Sequence, residues 1–257
     1  GSWVTGMSSR PSGSWDMKGR AGRRRPAALP ILVVFVLIAA VTFLYSPAFD
    51  VREVTVLGNA YFSAQEVQEL AEIPRDKNML LINSSGVVAR ILRAPRMESA
   101  SVRKRYPSKM EIVVVERKTV AYLPFGGFFM DLSKDGLVIG VSEAVTDRNV
   151  PIVTGTVPSF VLLGETAMPA DSIGAACKVG EMLAVRNVPN ISEVNVKDTS
   201  DIVIITNEGS RLMLGAADGI EERLDMAVDI LAGARSRKQA FKYIDVRVTE
   251  RPVLGTK

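Results

Sequence analysis

Hydrophobic positions along the chain change period twice. Residues 27–46, AALPILVVFVLIAAVTFLYS, are a continuous uncharged run of 20 positions. As a helix rising about 1.5 Å per residue, such a run spans about 30 Å, the thickness of a hydrocarbon core. Pro30 falls in the first turn, where a missing N–H does least harm, and Pro47 stops the helix. TFLYSPAFD is a poor signal-peptide cleavage site, so the run predicts an uncleaved membrane anchor from Ala27 to Ser46. From Val51 the period becomes two. VREVTVLGN places Val54 and Val56 on one face and Glu53 and Thr55 on the other, a strand ending in a Gly-Asn turn. The period then lengthens to that of a helix. Ser63 and Glu66 form a capping box ahead of the stripe Val67, Leu70 and Ala71. Met79 to Ile82 reads as an apolar plug in a loop. SSGVVARILRAP is a second helix with Val87, Val88, Ile91 and Leu92 on its core face and Pro95 as its stop. Two strands, roughly 99–105 and 109–116, close this segment around YPSK. The order is β-α-α-β-β, two amphipathic helices on one face of a three-stranded sheet.

The remainder reads as a larger α+β unit with a mostly antiparallel sheet. GGFFMDLSKDGLVIGV is a hairpin around Asp135-Gly136. Asp131 and Asp135 belong to turn chemistry, since their spacing lacks the oxygen ladder of a calcium loop. VPIVTG is a short extended piece, and a helix is predicted from Asp171 to about Arg186. ISEVNVK, DIVIITN and SRLMLG are strands, the last two joined at Asn207-Glu208-Gly209. Asp218 and Glu221 are expected to box the start of a long helix with the stripe Ile220, Leu224, Ala227, Val228 and Leu231. FKYIDVRVTERPVL is predicted to end the chain as a strand with a proline-containing tail.

Composition removes several chemistries. The chain holds no histidine and one cysteine. That excludes histidine triads, histidine-ligated metals and an intramolecular disulfide. Cys177, on an apolar helix face, reads as a buried structural thiol. No cofactor is expected. Residues 1–26 carry six Lys or Arg against Asp16 alone, a basic tail rich in Gly, Ser and Pro that is expected to be disordered. The positive-inside rule places it in the cytoplasm and everything after Pro47 outside. Most of the chain's basic excess then serves topology, and a nucleic-acid partner is not expected.

VRKRYPSKMEIVVVERKTVA, residues 102–121, holds six basic and two acidic residues. Arg103, Arg105 and Lys109 are expected to share one exposed face, a strip facing anionic headgroups or a partner. The same stretch carries a resemblance. Val102, Tyr106, Pro107, Glu116 and Ala121 fit the pattern V-x-x-x-aromatic-P, apolar strand, E-x-x-x-x-A of the POTRA domain in the FtsQ/DivIB family of bacterial cell-division proteins. That family more often has Trp where Tyr106 stands. VREVTVLGN and KNMLLIN match as well. Asp131, Asp135, Gly136, Pro151, Gly155, Gly209, Gly215 and Ile244 to Arg247 fit the family's second domain. The resemblance covers about residues 27–254. It implies a POTRA domain over 49–118, an FtsQ-type β domain over 119–254, and a single-pass division protein at the septum. Its implied partners are FtsB/DivIC-like and FtsL-like membrane proteins and, indirectly, the septal transpeptidase and glycosyltransferase.

The partner surface follows from strand physics. A terminal strand offers an unpaired edge to which another segment can add. The candidate contacts are Tyr243, Ile244, Asp245, Val246, Arg247, Val248, Thr249 and Glu250, with a role inside the sheet as the competing reading. Two other functions compete. One is a POTRA module of a transport or assembly system. The other is an anchored cell-wall hydrolase using Glu111, Glu116, Asp131 or Asp135. The odd spacing of Glu111 and Glu116 puts them on opposite faces of one strand, whereas a glycosidase needs two carboxylates flanking one cleft. No catalytic residue is therefore expected.

Overall fold

The computed structural model describes Gly1 and residues 28–256. The expected disordered tail, apart from Gly1, and Ala27 lie outside the described residues. The chain divides into two units, one up to Ser46 and one from Pro47 onward.

The first unit holds helix α1, Ala28–Leu44, apolar throughout its 17 residues. Its large side chains are solvent-exposed all along the helix. Among the described residues no helix is long and apolar enough to cross a membrane. Tyr45 and Ser46 form a turn beyond the helix, and the Ser46 N–H donates to the Phe43 carbonyl at 3.0 Å.

The second unit begins with a three-stranded sheet. Its strands are β1 (Glu53–Leu57), β2 (Met97–Arg105) and β3 (Lys109–Glu116), in the order β1-β3-β2. Helices α2 (Ala64–Ala71) and α3 (Ser84–Ile91) lie between β1 and β2 in sequence. The Ser63–Glu66 capping box forms as expected, each side chain bonding the other residue's N–H. The two helices and the inward face of the sheet enclose one core of Val67, Ala71, Met79, Val87, Ile91, Met110, Ile112 and Val114. Strand alternation sends Met110, Ile112 and Val114 inward, and Val102, opposite Ile112, packs against them.

The second sheet has nine strands. Along the chain they are β4 (Ala121–Phe125), β5 (Phe128–Leu132), β6 (Val138–Ser142), β7 (Ile152–Thr154), β8 (Ile191–Asn195), β9 (Ile202–Thr206), β10 (Arg211–Gly215), β11 (Phe241–Asp245) and β12 (Val253–Thr256). In space the order is β12-β11-β10-β9-β8-β7-β4-β5-β6. Neighbours run antiparallel except at β11–β10, β8–β7 and β7–β4. Helices α4 (Ala170–Val185) and α5 (Ile220–Ser236) supply Ile173, Cys177, Leu183, Leu224, Ala227 and Leu231 to its core. They are cross-tied by Lys178–Glu221 at 2.6 Å and by Arg186–Asp225. Cys177 is fully buried, and burial pushes its thiol up to about 12.

Three expectations are corrected. Strand β4 was not anticipated: it forms a hairpin with β5 across Gly126-Gly127 and lies between β5 and β7. Helix α5 is not boxed by Asp218 and Glu221. Gly219 is its N-cap, with φ of 64° and no side-chain cap. Arg223 reaches back to the carbonyls of Ala216 and Asp218. Third, FKYIDVRVTE is not one strand: β11 stops at Asp245, the chain bends, and β12 returns antiparallel to it.

The two sheets are joined through Arg96, between α3 and β2, and Asp131 of β5. Their ion pair is buried, with side chains only 5% and 3% exposed. The Arg96 guanidinium also donates to Thr119 Oγ1 at 3.1 Å and stacks 3.9 Å from the centre of the Tyr61 ring. Ser142 donates to the other Asp131 oxygen at 3.2 Å. A Cβ on Gly140 would stand 2.9 Å from the Arg96 guanidinium, so any larger residue there would displace the pair. Breaking a buried pair strands a charge, whereas removing both partners does not. Asp131→Ala is expected to lower unfolding free energy by about 3–5 kcal/mol. The double change Arg96→Met/Asp131→Leu should cost much less, as chemical denaturation of the three proteins will read.

Candidate partner-binding edge

Strand β11 holds the first three of the predicted contact residues, but it is not an edge. It is paired in parallel with β10 and antiparallel with β12. Its place in the sheet is pinned by Ser210, whose hydroxyl donates to the Phe241 carbonyl at 2.8 Å. Ile244 and Val246 are fully buried in the core. The Val246 N–H donates to Met213 O at 3.1 Å. Tyr243 and Asp245 are half-buried on the opposite face.

Arg247 is engaged within the chain. Its guanidinium bonds both Asp245 carboxylate oxygens, at 3.0 and 2.7 Å, and its backbone N–H donates to the same side chain at 3.1 Å. Asp201 lies 3.6 Å away as a second ionic neighbour. The Arg247 hydrogen bond holds the Asp245 carboxyl below its ordinary 3.8, and the Asp245 bond raises the Arg247 guanidinium. Val248, Thr249 and Glu250 follow in the bend, where Arg251 N–H donates to Val248 O at 3.1 Å. Val248 is exposed there.

The edge itself is β12, a strand where the sequence pattern predicts a proline-containing tail. Val253 and Leu254 pair with Asp245 and Ile244. Val253 is 47% exposed, while Leu254 packs partly on the core. Gly255 is opposite Tyr243, and a Cβ there would stand 2.3 Å from the tyrosine ring. The ring thus occupies the space of the missing side chain, which fixes the register of β12. The signal in the sequence was Pro252 followed by the short V-L-G-T, a break and then a second extended piece.

The charged hairpin of the small sheet resolves differently from expectation. Arg103, Arg105 and Lys109 do share one outward face, but acids are interleaved with them. Glu111 lies 3.7 and 3.3 Å from Arg103 and Arg105, and Glu53 lies 2.6 Å from Lys109. Pairs this exposed contribute little energy, but they cancel two of the strip's three positive charges locally.

Three of the four acids considered for hydrolysis have structural partners. Glu116 accepts the N–H groups of Tyr61 and Phe62 at 2.6 and 3.2 Å, holding the turn after β1. Asp131 is paired with Arg96, and Glu111 with the hairpin arginines. Glu116, Asp131 and Asp135 do border one open cleft of about 1160 Å³ where the two sheets meet. The first two are committed to these contacts. Among the described residues no cluster of three or more acidic or cysteine side chains is placed to hold a metal ion.

A family model described as POTRA domain, FtsQ-type, matches residues 49–117. One described as cell division protein FtsQ/DivIB, C-terminal, matches residues 121–247. The chain is similar to cell division protein DivIB of Clostridium botulinum strain Hall, at 23% identity, covering 92% of this chain and 94% of the relative. It is similar to cell division protein FtsQ of Syntrophotalea carbinolica at 26% identity, covering 89% and 81%. The solved major extracytoplasmic domain of DivIB from Geobacillus stearothermophilus, in its trans isomer, matches at 16% identity. It covers 48% of this chain and 95% of that one with a TM-score of 0.33.

The Asp245–Arg247 bond has a pH signature. A depressed carboxyl contributes stability above its unfolded pKa and loses it as pH falls through the folded pKa. A pH titration of the Asp245 carboxyl by NMR should have its midpoint below 3.8. Arg247→Ala should move the midpoint back up. An unmoved midpoint would show that the bond does not persist in solution.

Proposed function

The chain belongs to the FtsQ/DivIB family of cell-division proteins, and we propose that it is a membrane-anchored scaffold of the division machinery. In this reading residues 27–46 span the cytoplasmic membrane, the basic N-terminus lies in the cytoplasm, and residues from Pro47 onward lie outside, at the septum. The scaffold binds FtsB/DivIC-like and FtsL-like partners and through them helps recruit and regulate the septal transpeptidase and glycosyltransferase. It needs no catalytic residue.

The observation that carries this reading is the free edge of β12. The described nine-stranded sheet ends there, and its last strand has one side paired to β11 and, among the described residues, no strand on the other. Such an edge presents backbone N–H and C=O groups that an extended partner segment can pair with. The neighbouring Val246–Pro252 bend then serves as a flank: Arg247 is held by Asp245, Val248 is exposed, and Glu250 is exposed. The eight residues 243–250 become support and flank, and the strand-pairing role passes to Val253–Thr256. The hydrolase alternative has no support in the placement of Glu111 and Glu116. The transport-module alternative is not favoured by any observation.

Val253→Lys tests this. Val253 is exposed, so the change leaves the core intact, but a charge on an edge opposes strand addition. Binding of the extracytoplasmic segment of an FtsB-type partner is expected to weaken by roughly tenfold, about 1.4 kcal/mol. The melting temperature should stay within a degree or two. Undiminished binding by the folded variant would rule out β12 as the contact strand.

A further inference from the structure

One end of the small sheet collects basic residues and two exposed apolar side chains. The chain enters that sheet at this end: β1 begins there, eight residues after α1 in sequence. Hydrogen bonds bring three segments together. The Arg52 N–H donates to Ser108 O at 2.9 Å, and the Val51 N–H donates to Lys77 O at 3.2 Å. The Lys104 ammonium crosses from β2 to Ile82 O at 2.8 Å. Residues 50–53, 75–82 and 103–111 therefore form one end face. They hold seven basic and four acidic residues, a net charge of +3.

The pairing within this face decides which cations are available. Arg103 and Arg105 share Glu111, Lys109 pairs with Glu53, and Lys104 is spent on backbone carbonyls. Arg52, Arg75 and Lys77 are exposed and make no ion pair with a described residue, so three cations face the two remaining acids Asp50 and Asp76. The same three segments carry Tyr106, 62% exposed, and Leu81, 54% exposed. Neither packs into the core of the small sheet. An exposed aromatic and an exposed aliphatic side chain on a face that also carries Arg and Lys is the pattern of an interfacial membrane contact: the apolar groups reach the acyl boundary and the cations meet headgroups. Residues after Pro47 outside this face hold 19 basic and 23 acidic residues. An anionic surface therefore attracts this end and repels the rest of the unit.

We propose that this end face, with Arg52, Lys77, Leu81 and Tyr106 at its contact, docks on the anionic lipid headgroups of the membrane. The inference rests on the reading of residues 27–46 as an anchor, which brings bilayer and end face within tether length. Docking orients the unit, presenting its far end and the large sheet away from the bilayer.

The test uses the full chain in vesicles of phosphatidylcholine alone or with phosphatidylglycerol at about a quarter of the lipid. An environment-sensitive fluorophore is placed on Tyr106→Cys. Native Cys177 is fully buried, so labelling is selective. Anionic lipid is expected to raise the emission roughly twofold with a blue shift, an effect reversed by high salt. The added changes Arg52→Glu and Lys77→Glu should abolish the response. A label on Val157→Cys, at a position 86% exposed, should not respond. Equal emission at 106 in both lipids, with the chain retained on alkaline carbonate washing, overturns the docking and leaves the anchor reading intact. Release of the chain by the wash overturns both. A response to soluble polyglutamate but not to phosphatidylglycerol overturns the lipid in favour of an acidic protein.

Discussion

The arrangement of the two sheets depends on a single buried charge. Arg96 leaves the small sheet at the start of β2 and is covered on one side by the Tyr61 ring. Asp131, 35 residues later in β5, neutralises it. An arginine this buried is unfavourable without a partner, and an aspartate equally so. Each therefore makes the other's position obligatory, and the relative placement of two independently built cores becomes fixed. The surroundings enforce the same geometry. Thr119 accepts a further bond from the guanidinium, Ser142 donates to the carboxylate, and Gly140 leaves the space. Arg117, just after β3, locks the Arg96 segment from behind by bonding Pro95 O and Met97 O. Such a pair adds less stability than a hydrophobic substitute would, but it specifies one orientation.

That specificity matters for a protein proposed to act by holding others. The end face of the small sheet, with Tyr106 and Lys77, and the free edge of β12 belong to one unit joined through this pair. A scaffold whose two contact surfaces shifted independently would transmit position poorly. With the junction closed, the place of β12 is set by the same contacts that set the turn end of β2 and β3. Edge strands are ordinarily a liability, because they invite unselected pairing. Here β12 is only four residues long, and Gly255 under Tyr243 fixes its register. The other edge, β6, is partly covered by the connection after β7. There Val138 N–H donates to Glu165 O and Gly164 N–H to Val138 O, both at 2.9 Å. Among the described residues the sheet thus leaves its β12 edge open and closes much of the opposite one.

Much of the fold was legible where local chemistry decides. The Ser63–Glu66 box, the alternation of β1 and β3, the Asp135-Gly136 turn and the stripes of α4 and α5 depend on neighbours within a few residues. The elements that were missed depend on distant ones. Strand β4 carries Pro124 and no alternation, because its first three residues are buried on both faces of the sheet. The break between β11 and β12 is set by the bend at Val246–Pro252, while Ile244 to Val248 alternates smoothly enough to read as one strand. Asp131 looked like turn chemistry because its neighbour Asp135 does belong to a turn. Nothing near it in sequence announces Arg96. Glu116 fitted a family pattern, but its task, accepting two N–H groups from residues more than 50 positions earlier, appears only in three dimensions. The edge at 253–256 was passed over in favour of the more strongly patterned YIDVRVTE.

The central claim is that the free edge of β12 is the docking strand. Backbone hydrogen exchange, followed residue by residue with and without the extracytoplasmic segment of an FtsB-type partner, tests it most directly. An edge strand exchanges readily because its outward amides have no partner. The account predicts new protection within Val253–Thr256 on binding, with the amides of β6 and of the small sheet unchanged. Protection confined to β6, β1 or β2, with Val253–Thr256 still exchanging freely in the saturated complex, would contradict it.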